Sequence, residues 1–216
     1  MISTPAAAAS REDLDRLVAG THVDPHTVLG PRPSAHGLLV RALRPGATRV
    51  RALLDDGTAA ALGRVHDGGV FEGVVAGVRD VPPYRIEATY ATGATWTLRD
   101  PYAFLPTLGA IDLHLSGEGR HERLWERLGA HPGHASLGAS ASIPGVSFAV
   151  WAPEAARVSV VGDFNRWDGR THPMRRLGES GVWELFVPEL TVGALYQYEI
   201  RTHEGLIAKK ADPLAF

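Results

Sequence analysis

The sequence is organised around residues 158–170, which read VSVVGDFNRWDGR. The first four of these residues are mostly β-branched and form a short apolar run, which is typical of a strand in a packed sheet. A second strand-like run follows at 182–187, VWELFV. The loop between the runs contains Gly, Asp and Asn for turning, but it also carries Phe164 and Trp167, which turning does not require. These features predict two strands joined by a loop with an additional role.

Trp167 lies between Arg166 and Asp168, where a loop has no ordinary reason to expose an indole. Sugar rings stack well on an exposed indole, because their C–H groups meet the negative face of the π system while area is buried. A core residue that is reached from a loop would give the same local sequence. The local sequence leaves both interpretations open.

A repeat extends this pattern to most of the chain. Residues 37–50 correspond to residues 145–158 at an offset of 108 (145 − 37), and residues 70–104 correspond to residues 182–216 at 112 (182 − 70). One four-residue insertion (112 − 108) near Trp167 accounts for the step between the two offsets. The first copy has LDDGT at 54–58 and no counterpart of Trp167. The repeat therefore predicts two domains of one plan, only one of which carries the aromatic loop.

The first copy contains five short strand candidates separated by turn residues, which favours a sandwich. They are residues 38–43, 48–54, 70–75, 84–90 and 95–98. The predicted fold is all-β, with two immunoglobulin-like β-sandwich domains in tandem. Short helices are predicted near the N-terminus, beginning at Ser10 and ending at Gly20, and in the linker, over residues 118–128.

The expected division of the chain has four parts. They are a tail with a short helix (1–22), the first sandwich (23–106), a linker (107–144) that includes an exposed loop from Pro132 to Ser142, and the second sandwich (145–216).

Composition excludes several classes of function. The net charge of −2 gives no reason to expect a nucleic acid or an anionic membrane as partner. Cysteine is absent, so disulfides and thiolate metal sites are excluded. Of the ten histidines, His131 and His134 are close together, but Pro132 and Gly133 separate them and no third ligand is evident, so no metal site is predicted. The first ten residues lack a basic segment, so no signal peptide is expected and the predicted location is the cytoplasm.

The spaced motifs of the second copy resemble the starch- and glycogen-type carbohydrate-binding modules of family 48. The motifs are GVSFAVWAP at 145–153, VVGDFNRW at 160–167, GVWE at 181–184, YQYEI at 196–200 and ADPLAF at 211–216. With DPH at 24–26, DPYAF at 100–104 and GEGRH at 117–121, residues 24–216 resemble the amino-terminal region of bacterial 1,4-α-glucan (glycogen) branching enzymes.

This resemblance implies the front part of an enzyme that cleaves an α-1,4-glucan and transfers the piece to a 6-hydroxyl without a cofactor. The catalytic carboxylates of such enzymes lie in a (β/α)₈ barrel of roughly 250 residues, so the chain is expected to be truncated before the barrel and to contain no catalytic residue. Its expected partners are α-glucan and that barrel. The alternatives are a free-standing glucan-binding or scaffold module, or the amino-terminal part of a debranching-type enzyme.

The resemblance also implies a glucan-binding face, with Trp167, Asn165 and Gln197 as candidate residues. Two departures predict weak binding. The final turn, residues 202–207, has no aromatic residue, and Gln197 stands where related modules tend to have lysine. Loss of one of two stacking rings corresponds to about tenfold in affinity. The pairs Arg175-Arg176 and Lys209-Lys210 are interpreted as solvated surface charges.

Overall fold

A computed structural model of the protein describes residues 9–108, 127–138 and 141–215. They divide into two compact units. The described part of the first comprises residues 9–19, 26–103, 136–138 and 141, and that of the second comprises residues 20–25, 104–108, 127–135 and 142–215. The predicted linker helix over residues 118–128 falls mostly outside the described residues.

The first unit begins with the predicted helix, α1, over Arg11–Ala19. Its N-terminus is capped as expected, because the Ser10 hydroxyl accepts a hydrogen bond from the Asp13 backbone N–H (3.1 Å) and donates to the Asp13 carboxylate (2.7 Å). Leu14 and Leu17 on the apolar stripe are buried. The short N-terminal helix is therefore confirmed.

Seven antiparallel strands follow in the first unit. They are β1 (Gly30–Ser34), β2 (Gly37–Leu43), β3 (Ala47–Leu54), β4 (Ala59–His66), β5 (Val70–Ala76), β6 (Tyr84–Tyr90) and β7 (Thr95–Arg99). Their order is β1-β2-β5-β4-β3-β6-β7. The first half of β4 pairs with β3 and its second half pairs with β5, so one strand joins both layers. Alternate residues of β2, β3 and β6 form one buried core, which makes the unit a sandwich.

The second unit contains the other seven described strands. They are β8 (Gly129–Leu137), β9 (Ala141–Trp151), β10 (Arg157–Gly162), β11 (Arg175–Arg176), β12 (Val182–Pro188), β13 (Tyr196–Arg201) and β14 (Ile207–Lys210), with the first residue of β9 and the last two of β8 grouped with the first unit. They form a sheet of order β11-β12-β9-β8 and a sheet of order β10-β13-β14. The Tyr198 hydroxyl donates to the Ala149 backbone oxygen (3.4 Å) between the two sheets.

Strand pairing confirms the repeat at the level of register. In the first unit Leu43 pairs with Val70, and in the second Trp151 pairs with Val182, which are the same positions at offsets of 108 and 112. Six of the seven pairs between β3 and β6 reappear between β10 and β13, and four of the five between β6 and β7 reappear between β13 and β14, at the same offsets. The difference of four residues between the offsets therefore lies between β10 and β12 and leaves these ladders in register.

Two local predictions were wrong, and β1 was not predicted. This strand, residues 30–34, lies at the edge of the sheet, where Pro31 and Pro33 remove N–H groups only on the unpaired side. The loop predicted from Pro132 belongs to β8 up to Leu137, which is also an edge strand and tolerates proline. Arg175 is buried and bonded to Glu184 (2.7 Å) rather than solvated.

Candidate binding face

The insertion of the second unit forms a tight, backbone-stabilised loop after β10. A single 3₁₀ turn spans Asp163–Asn165, and Arg166 and Trp167 follow with φ angles of 56° and 61°. Two consecutive left-handed residues with side chains are costly unless their surroundings hold them in place. The Trp167 N–H donates to the Gly162 carbonyl (2.9 Å), which fixes the position of the indole relative to the end of β10.

Asn165 holds this loop from within. Its side-chain oxygen accepts from the Gly162 N–H (2.9 Å), and its amide nitrogen donates to the Val160 carbonyl (2.9 Å) and lies 3.1 Å from Nδ1 of His172. The residue is only 4% exposed. The structure thus places this candidate beneath the loop, where its amide supports the backbone conformation that carries Trp167.

The loop crosses one face of the β10-β13-β14 sheet, which we call the loop-covered face. By strand alternation and register, this face consists of Arg157, Ser159, Val161, Gln197, Glu199, Arg201, Ile207 and Lys209. Gly169 lies so close to it that a Cβ atom there would be 2.0 Å from Oε1 of Glu199. That glutamate is bonded to the buried Arg157 (2.8 Å), so the loop crosses over a neutralised pair.

Trp167 is half-buried at this face. Its indole N–H donates to the Asp163 carboxylate (2.8 Å), and the ammonium of Lys209 lies 5.7 Å from the centre of the indole. The same ammonium donates to the Trp167 carbonyl (3.3 Å). The ring is therefore held at the surface by polar contacts at both ends and is not enclosed in a core.

Gln197 lies on the same face, opposite Val161 in the ladder between β10 and β13. It is half-buried, and within the described residues its side chain makes no hydrogen bond. The structure therefore brings Trp167, Gln197 and Lys209 to one face, and we call this set the Trp167 platform. Asn165 is not part of it.

Sequence reasoning missed Lys209, because β14 was not predicted. The repeat contained the missing signal. Position 209 corresponds to Thr97 at the offset of 112 (209 − 97), and Thr97 lies on β7 opposite Glu87. Extending the predicted strand 95–98 to the second copy would have placed Lys209 on the face of Gln197.

The opposite side of β13 is held by a buried carboxylate. Asp212 accepts hydrogen bonds from the hydroxyls of Tyr196 (2.5 Å) and Tyr198 (3.3 Å). Burial raises the pKa of both phenols, and the nearby aspartate raises each further. In the first unit Tyr84 donates to Asp100 in the same way (2.6 Å). This repeated contact ties β6 in the first unit to the segment after β7, and β13 in the second unit to the segment after β14.

Each buried carboxylate of the described residues is engaged in a structural contact, as shown for Asp212, Asp100 and Glu199; Glu184 is bonded to Arg175 and Thr107. Within residues 9–108, 127–138 and 141–215 no group of three or more potential ligand side chains could hold a metal ion. No helix in this part of the chain is long and apolar enough to cross a membrane.

Two families match complementary parts of the chain. Residues 10–102 match the family described as "alpha-1,4-glucan branching enzyme GlgB, N-terminal domain". Residues 127–215 match the family described as "Carbohydrate-binding module 48 (Isoamylase N-terminal domain)". Each match covers nearly all of one copy of the repeat, and the second includes the Trp167 platform.

Individual relatives agree with these matches. The chain is 53% identical to a 1,4-alpha-glucan branching enzyme GlgB of Frankia casuarinae, over 95% of this chain and 25% of that protein. It is 51% identical to the GlgB of Myxococcus xanthus, over 94% of this chain and 27% of that protein. Among solved structures, a pullulanase from Anoxybacillus sp. LM18-11 is 16% identical over 85% of this chain and 25% of that chain, with a TM-score of 0.30.

These findings define a protein built from a branching-enzyme N-terminal domain followed by a family 48 carbohydrate-binding module. More specifically, the chain corresponds to the N-terminal region of the enzymes of the bacterial 1,4-alpha-glucan branching enzyme family. It spans about a quarter of the length of the curated relatives it matches.

Proposed function

We propose that the Trp167 platform binds α-glucan weakly, by stacking a glucose ring on the indole. The observation that carries this proposal is the half-exposed indole, which is held at the sheet surface by Asp163 and Lys209 rather than enclosed in the core. A rigid aromatic surface loses little entropy when a flat sugar ring covers it. One such ring supports a dissociation constant on the order of 1 mM.

A titration of the chain with maltoheptaose, followed by calorimetry or NMR, tests this proposal. We expect a Trp167→Ala variant to lose binding while its free energy of unfolding stays within about 0.5 kcal/mol of the wild type, as for a surface substitution. A loss of roughly 3–5 kcal/mol would instead identify Trp167 as a core residue. No binding by the wild type at concentrations well above 1 mM would overturn the proposal.

We also propose that the chain is the non-catalytic N-terminal portion of a glycogen branching enzyme. In this proposal, carboxylates of a catalytic barrel elsewhere in the enzyme cut the α-1,4 bond and transfer the segment to a 6-hydroxyl through a covalent glycosyl intermediate. The family match and the structural engagement of the buried carboxylates described here support a non-catalytic role. Residues 1–216 alone should leave the iodine absorbance of amylose unchanged, and measurable branching by this chain would refute the assignment.

A further role in positioning the barrel is supported by an apolar groove of about 510 Å³ in the second unit. Val192 and Leu195, which line it, are 81% and 66% exposed. Exposed apolar surface of this kind is typical of an interaction site. We expect a Val192→Asp/Leu195→Asp variant to lower the melting temperature of a longer protein that includes the barrel more than that of residues 1–216, and equal effects would contradict the role.

A further inference from the structure

Lys209 is one of two lysines in the chain, and it lies beside the Trp167 indole. The chain has two lysines, Lys209 and Lys210, against 20 arginines (22 − 2). The Lys209 ammonium lies 5.7 Å from the centre of the Trp167 indole and donates to the Trp167 carbonyl. The two lysines are neighbours on one strand, so their side chains leave it in opposite directions, and only Lys209 lies on the loop-covered face.

The ammonium of Lys209 has hydrogen-bonding capacity left over. An ammonium carries three N–H donors, and the Trp167 carbonyl accepts one. Glu199 lies directly opposite Lys209 in the ladder, but its carboxylate is bonded to Arg157 (2.8 Å) and lies beneath Gly169. Among the described residues Lys209 makes no ion pair. Two donors therefore remain beside the aromatic ring.

We propose that Lys209 is a ligand-contacting residue, whose ammonium donates hydrogen bonds to the hydroxyl groups of the glucose unit that stacks on Trp167. This inference rests on the proposed function of the Trp167 platform and adds the polar group that orients the sugar. A stacked glucose ring directs its hydroxyls outward around its rim, and the ammonium lies 5.7 Å from the centre of the indole. Hydrogen bonds from a charged donor are stronger than those between neutral groups and depend on position, so they favour one orientation of the sugar.

A purely structural role for Lys209 is the competing explanation. A cation near an exposed aromatic ring contributes only weakly to stability, and the hydrogen bond to the Trp167 carbonyl holds the loop. In that case a change at Lys209 would affect the free protein, and the lysine would not sense the ligand. A direct signal from the lysine side chain separates the two roles.

The presence of only two lysines allows that signal to be measured in the intact chain. Protein labelled with ¹³C-lysine gives two side-chain methylene signals at the carbon next to nitrogen. We expect maltoheptaose to shift the Lys209 signal along a saturating curve, with the same dissociation constant as calorimetry, and to leave the Lys210 signal in place.

Variants provide the second arm of the test. We expect Lys209→Met to weaken maltoheptaose binding about five- to tenfold, whereas the matched control Lys210→Met stays within about twofold of the wild type. Lys209→Arg should recover part of the loss, since it keeps a charged donor. The melting temperature of each variant is measured without ligand, to separate ligand contact from support of the loop.

Three results would overturn the inference. If Trp167→Ala abolishes binding while Lys209→Met binds like the wild type, the platform stands without Lys209 as a contact. If Lys209→Met lowers both affinity and melting temperature while the Lys209 signal never shifts with ligand, the residue only supports the loop. If the wild type itself does not bind, the proposed function fails, and the inference fails with it.

Discussion

Replacing Asn165 with alanine should destabilise the second unit strongly, although the residue lies in a loop. The substitution removes the contacts of its amide with the Gly162 N–H, the Val160 carbonyl and His172. A buried hydrogen bond contributes about 1 kcal/mol net, and a buried group that loses its partner costs more. Three such contacts, at a position that is 4% exposed, predict a loss of about 2–4 kcal/mol.

Urea unfolding of wild type and variant measures this loss. With a typical urea dependence of about 2 kcal/mol per molar, the midpoint should fall by about 1–2 M. Glu204→Ala, in the exposed turn before β14, is the control and should stay within about 0.5 kcal/mol of the wild type. The reasoning is refuted if Asn165→Ala is as stable as the control and loses only maltoheptaose binding, because Asn165 would then act on the ligand directly.

Three further predictions concern the two units. Burial raises the pKa of Asp100, so its protonated form stabilises the folded state at acidic pH and this contribution disappears as the pH rises through the folded value. The urea midpoint of Asp100→Asn should therefore rise relative to that of the wild type between about pH 4 and about pH 7. A difference between the two midpoints that does not change with pH would contradict this. Tyr84→Phe and Tyr196→Phe each remove a hydroxyl donor to a buried aspartate. Each substitution should lower the free energy of unfolding of its own unit by about 1.5–3 kcal/mol, measured by thermal unfolding. Unequal effects would show that the contact is not equivalent in the two units. Gly169→Ala should lower the free energy of unfolding by about 1–3 kcal/mol, because its Cβ would overlap Glu199. Wild-type stability together with wild-type maltoheptaose affinity would argue against a loop that lies this close to the sheet.

The repeat made most of the fold predictable from sequence. Two constant offsets require the same strands in both copies, and the observed registers follow them. The errors occurred where local composition opposes the structure. β1 contains Pro31 and Pro33, and β8 contains Pro132, so their sequences favour loops. Both are edge strands, and only the tertiary arrangement shows which side of a strand is unpaired.

The candidate site was predictable only in part, for a related reason. The four-residue insertion located Trp167, because an aromatic residue in a loop of one copy has no counterpart in the other. The sequence does not show which way a loop folds, so it could not separate Asn165, which is buried, from Gln197, which reaches the loop-covered face. Arg175 resembles a surface charge in sequence, and its burial depends on Glu184, nine residues later on β12.

The shared register has a consequence for folding, because strands of tandem domains with matching ladders can pair with the wrong partner. Position 41 of β2 corresponds to position 149 of β9, and Glu72 corresponds to Glu184. In the first unit Arg41 on β2 neutralises Glu72. In the second, Ala149 stands at the equivalent place and Arg175 of β11 supplies the charge. A chain that exchanged β2 and β9 would set Ala149 beside Glu72 in the first unit and leave that glutamate without Arg41. The differently placed ion pairs therefore discriminate against the misassembled product.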